Sequence, residues 1–122
     1  MEQRELGRLG PVSVLTLGGG GLGQGWGATS REEAVATVRA AVDAGITLFD
    51  VAPGYGRGEA ERVVGEAFGG RLPQGVRVGT KCMLGSPPDG DVKGRLAHSL
   101  ARSLEALQLE HVDLLYLHSN LV

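Results

Sequence analysis

The feature that most constrains this chain is a repeated switch between short apolar runs and longer amphipathic ones. Residues 46–49 are apolar and stop at Asp50. Residues 58–68 then set Val63, Val64, Ala67 and Phe68 at helical spacing, and Gly69-Gly70 ends them. Residues 76–80 read as a second strand that stops at Lys81. A loop with Pro87, Pro88 and Gly90 follows, and Val92, Leu96, Leu100, Leu104 and Leu107 then recur at intervals of three and four. Residues 112–117 read as a third strand, ended by His118. Upstream, Ser30-Arg31-Glu32-Glu33 forms a capping box. The helix it opens carries Ala34, Val35, Val38, Ala41 and Val42 on one face, and Gly45 closes it. Residues 6–17 hold two strand-like pieces around Gly10-Pro11, of which 12–17 alternates in the manner of a strand. Strand and helix in turn imply parallel strands joined by helical crossovers, hence an α/β fold.

Composition narrows the function. The 122 residues suit a single domain. Glycine supplies 21 of them, well above the usual share of about 7%, without the period of collagen. That excess points to tight turns and close backbone approaches. A net charge of −2 with no dominant basic patch excludes a nucleic-acid partner. No apolar run reaches the length of a membrane span, and the polar start Met1-Glu2-Gln3-Arg4-Glu5 excludes a signal peptide. The lone Cys82 makes no internal disulfide, so a reducing, cytoplasmic setting is expected.

Parallel strands deliver their C-terminal ends to one face, where ligands bind in barrels and open sheets alike. Asp50, Lys81 and His118 end three successive strands, and Tyr55 lies in the loop just past Asp50. These four should therefore meet. An ammonium group lowers the pKa of a nearby phenol, so Lys81, steadied by Asp50, would make Tyr55 a general acid. His118 would assist at the same substrate oxygen. A proton donor with help at a carbonyl oxygen suits carbonyl reduction, and a cofactor must bring the hydride. Singly, each residue has a plainer reading as a turn cap, a solvated lysine, a rim tyrosine or a structural histidine. Together they share the one face expected to be functional. His98 and His111 read as surface residues, and Cys82 with the histidines has no zinc spacing, so no metal site is expected.

The glycine loop at 18–27 offers a competing reading. Gly18, Gly20 and Gly23 fit the dinucleotide fingerprint G-x-G-x-x-G. That fingerprint needs a helix opening at the glycines, whereas the capping box comes later, at Ser30. The stretch is therefore read as a loop following the first strand of the sheet. Gly19, Gly20 and Gly21, with Asp50, are its candidate cofactor contacts. Trp26, Tyr55 and His118 are the candidate substrate contacts.

The stretch Gly45-Ile46-Thr47-Leu48-Phe49-Asp50-Val51-Ala52-Pro53-Gly54-Tyr55-Gly56-Arg57-Gly58-Glu59 resembles the signature of the aldo-keto reductases. Gly79-Thr80-Lys81 and Asp113-Leu114-Leu115-Tyr116-Leu117-His118 resemble that family's next two motifs, in the same order. The resemblance implies a parallel (β/α)8 TIM barrel that reduces aldehydes and ketones with NADPH, or with NADH, and without metal. It implies Tyr55 as the acid, with Asp50, Lys81 and His118 as its supporting groups. Val51, where a small hydroxyl residue is usual, and Ser119-Asn120 after the histidine depart from the family pattern.

Barrels of this kind run to about 250 residues, so residues 1–122 are expected to supply the first half of one barrel domain. Open sheet edges would then favour self-association and leave the isolated chain nearly inactive. The alternative is a non-catalytic remnant, or a regulatory or interaction subunit that keeps a barrel-like half.

Overall fold

The computed structural model describes residues 1–84 and 90–119; Pro87, Pro88 and Asn120 lie outside them. Strands β1 (Gln3–Glu5) and β2 (Pro11–Ser13) pair antiparallel around a 3-10 turn at Gly7–Leu9. Strands β3 (Thr16–Gly18), β4 (Leu48–Asp50), β5 (Arg77–Cys82) and β6 (Leu114–Leu117) form one parallel sheet in that order. Helices α1 (Arg31–Asp43), α2 (Glu59–Phe68) and α3 (Val92–Leu107) make the crossovers.

The single strand expected over 12–17 is instead two. The Ser13 hydroxyl donates to the Leu15 carbonyl at 2.6 Å, bending the chain between β2 and β3. Ser13 and Thr47 also exchange reciprocal bonds, each backbone N–H donating to the other's hydroxyl oxygen at 2.8 Å. These bonds fix the hairpin beside the start of β4, at the opposite end of the strand from Asp50. The piece expected before Gly10 is the 3-10 turn, and its strand lies earlier, at β1.

Helix α1 begins as its sequence requires. The Glu33 N–H donates to Ser30 Oγ at 3.1 Å and the Ser30 N–H donates back to the Glu33 carboxylate at 3.0 Å. That backbone donor, followed by the Thr29 and Ser30 hydroxyls, holds the Glu33 carboxyl below the usual carboxylate range. Gly45 follows the C-cap at φ +93°, a conformation that a β-carbon disfavours. The core lies between the helices and one face of the sheet, where Val38, Phe49, Val51, Val63, Val64 and Val78 are fully buried. Phe68 meets Phe49 edge-on, with ring centroids 5.4 Å apart.

Helix α3 has the expected span, but its stripe is covered unevenly. Leu107 is buried, whereas Val92, Leu96, Leu100 and Leu104 are half-buried. Gly65 of α2 packs on α3, where a β-carbon would strike the Ala106 carbonyl. Strand β6 is an edge, with Leu115, Tyr116 and Leu117 exposed.

Candidate active site

Alternation along the strands decides which side chains reach the mouth. Phe49, Val78 and Thr80 are buried, and Phe49 and Val78 belong to the core against the helices. Leu48, Asp50, Gly79 and Lys81 line the opposite side. Asp50 pairs in register with Gly79, and Lys81 with Tyr116. A β-carbon on Gly79, opposite Asp50, would meet Leu114 Cβ at 3.1 Å and the Tyr116 ring at 3.5 Å, so the β6 side chains cover that glycine.

The four residues expected at the strand ends come together. Lys81 Nζ donates to Asp50 Oδ1 at 2.8 Å and to the Val51 carbonyl at 2.9 Å. It stands 4.7 Å from the centre of the Tyr55 ring. The Tyr55 and His118 rings meet edge-on, 5.9 Å between centroids and nearly perpendicular. The lysine side chain is only 12% exposed, while that of Asp50 is 39% exposed. The ammonium is thus enclosed between a carboxylate, a carbonyl and a π face. His118 is held at the edge by its own N–H, which donates to the Cys82 carbonyl at 2.7 Å.

Trp26 is not drawn into this group. Its indole is 84% exposed and lies over Gly20 and Gly21. Gly19 ties the glycine loop to β4: its N–H donates to the Asp50 carbonyl at 2.8 Å, and a β-carbon there would fall 2.7 Å from Val51 Cγ1. No helix opens at Gly23; α1 starts at Arg31, which removes the structural context for the dinucleotide fingerprint.

Gly23, named above only in the dinucleotide fingerprint, Arg31, named only in the capping box, and Glu61 hold the elements around the site. Gly23 packs backbone to backbone on the Tyr55-Gly56 peptide, where a β-carbon would lie 2.5 Å from the Tyr55 carbonyl carbon. Arg31 reaches from α1 to Glu59 in a two-pronged pair, at 2.8 and 2.7 Å. The Arg31 guanidinium holds the Glu59 carboxyl below its usual range, and the same bond raises Arg31. Glu61 is buried in α2 and accepts from the Thr80 hydroxyl at 2.5 Å. For Glu61 the readable signal is a charge three residues before Val64, on the inward stripe. Among the described residues, no group of three or more His, Cys, Asp or Glu is placed to hold a metal.

A hollow of about 510 Å³ runs along the open face of the sheet, from Thr16 and Leu48 to Asp50, Lys81, Tyr116 and His118; Tyr55 does not line it. A larger groove, about 1070 Å³, runs between α2 and α3 and shares no lining residue with this mouth.

The family model described as "Aldo/keto reductase family" matches residues 14–121. The chain belongs to that family. An L-galactose dehydrogenase of Arabidopsis thaliana is 38% identical over 97% of this chain and 38% of its own length. A probable voltage-gated potassium channel subunit beta of Oryza sativa subsp. japonica is 33% identical over 97% of the chain and 37% of its own. The crystal structure of an aldo-keto reductase from Klebsiella pneumoniae in complex with NADPH superposes with a TM-score of 0.78 at 30% identity, covering 97% of this chain and 40% of that one. Such aldo-keto reductases are barrels, and the parallel sheet with its helices forms the first part of one. The chain spans between 19% and 40% of the length of the curated relatives it matches.

Proposed function

We propose that this chain supplies the proton-transfer half of a nicotinamide-dependent carbonyl reductase, converting an aldehyde or ketone to an alcohol or the reverse. One observation carries the reading: Lys81 stands 2.8 Å from Asp50 and 4.7 Å from the centre of the Tyr55 ring. Tyr55 donates the proton to the carbonyl oxygen as negative charge develops there. Lys81 stabilises the phenolate left behind, and Asp50 keeps the ammonium aimed. His118 orients the carbonyl from the far edge of the mouth. A bound NADPH, or NADH, supplies the hydride. Gly20, Gly21 and Asp50 are the groups of this chain proposed to meet the cofactor, with Gly19 holding the loop on β4. Trp26 forms an outer wall for substrate. Residues 1–122 act as the N-terminal portion of one barrel domain, in the cytoplasmic setting that a lone cysteine fits.

The test is hydride transfer in a chimera in which this chain replaces the matching segment of the Arabidopsis relative. With NADPH deuterated at its transferable position, the alcohol product should carry the label. A folded chimera that binds NADPH and transfers no label would overturn the reading. The likeness to a channel subunit beta favours a second reading, a regulatory or interaction subunit. A folded chimera that binds NADPH and forms no alcohol would favour that one.

A further inference from the structure

We propose that Glu61 is a positioning residue: its buried bond to Thr80 locks β5 onto α2 so that the Lys81 ammonium meets Asp50 beside the Tyr55 ring. This deepens the reductase reading and rests on it. Glu61 is 3% exposed and Thr80 fully buried. Burying a carboxylate in a helix–sheet contact is costly unless it is hydrogen-bonded, and an apolar side chain would pack there more simply. The Thr80 hydroxyl donates to Glu61 Oε1 at 2.5 Å, which satisfies both buried groups.

Its place in the chain gives the bond its consequence. Thr80 immediately precedes Lys81 and points the other way, so fixing Thr80 on the helix side fixes the pleat that presents Lys81 to the mouth. Glu61 immediately follows Ala60, whose N–H donates to the Tyr55 carbonyl at 3.2 Å. One side-chain bond thus ties the segment carrying Tyr55 to the strand carrying Lys81. Lysine has a long flexible stem, and a misplacement of about 1 Å can cost a hundredfold in rate.

Lys81 and Lys93 are the chain's two lysines, and Lys93 is exposed on α3. Limited acetylation with acetic anhydride, followed by peptide mass spectrometry, gives their relative reactivity within the same folded molecules. In the unmodified chain Lys81 should react far more slowly than Lys93. Thr80→Val and Glu61→Leu should each raise the Lys81:Lys93 ratio severalfold. Glu61→Gln, whose amide oxygen still accepts from Thr80, should stay near the original value. A ratio unmoved by Thr80→Val, or Glu61→Gln as reactive as Glu61→Leu, would overturn the proposal. Should Glu61→Leu fail to fold, Thr80→Val and Glu61→Gln decide between them. The ratio does not depend on turnover, so failed hydride transfer would sink the reductase reading alone, and an unmoved ratio would sink the tie alone.

Discussion

Gly23 shows how a residue without a side chain sets one that has chemistry. A β-carbon there would lie 2.5 Å from the carbonyl carbon of Tyr55, 2.7 Å from its oxygen and 2.8 Å from Gly56 N. Backbone cannot swing aside as a flexible side chain can, so Gly23→Ala must shift the loop that carries Tyr55. Its cost should be about 1–3 kcal/mol, the range of overpacking, read as a lower urea midpoint. Gly54→Ala, in open space, should stay within about 0.5 kcal/mol. Equal midpoints for the two variants would contradict this account of Gly23. Asp50, Lys81 and His118 were legible because each closes a run read as a strand, and a parallel fold gathers such ends; β5 itself continues one residue past Lys81, to Cys82. Gly23 was not, because a run of glycines carries no register to say which one touches the next loop.

The joint between α1 and α2 depends on charge. Glu59 accepts both prongs of Arg31 and also a 3.3 Å bond from Arg62, and its carboxyl is depressed chiefly by the Arg31 bond. A carboxyl depressed in the folded chain stabilises fully above the ordinary carboxylate range near 4.5, and that stabilisation is lost as the pH falls through the lowered folded value. Arg31 is 46% exposed, so solvent screening keeps the pair worth at most about 1 kcal/mol. The stability difference between the chain and its Glu59→Gln variant should therefore be largest near neutral pH and vanish on acidification. Denaturant titrations in neutral and acidic buffer check this; a gap that widens in acid would contradict it. The helices were legible where a cap and an apolar stripe agreed, as at Ser30 and Val38. The strand pieces before Gly18 were not. Their break comes from Ser13, whose partners include Thr47, distant in sequence, and alternation cannot report such a bond.

At the scale of the whole molecule, the parallel sheet ends on β6, where Leu115, Tyr116 and Leu117 are exposed. Unpaired backbone flanked by apolar side chains invites another strand. The 122-residue chain should therefore gain mass with concentration in sedimentation equilibrium, and Leu115→Lys should shift it toward monomer. A monomer at every concentration would contradict that. The parallel direction of the strands followed from alternation, whereas the uneven cover over α3 depends on long-range packing that no local pattern encodes. The central claim is that Tyr55, held beside Lys81, Asp50 and His118, gives up the proton in carbonyl reduction. Its most direct test is Tyr55→Phe in the chimera, measuring NADPH-dependent turnover and NADPH affinity together. The account predicts turnover reduced about a hundredfold or more with affinity unchanged; turnover equal to that of the unsubstituted chimera would contradict it.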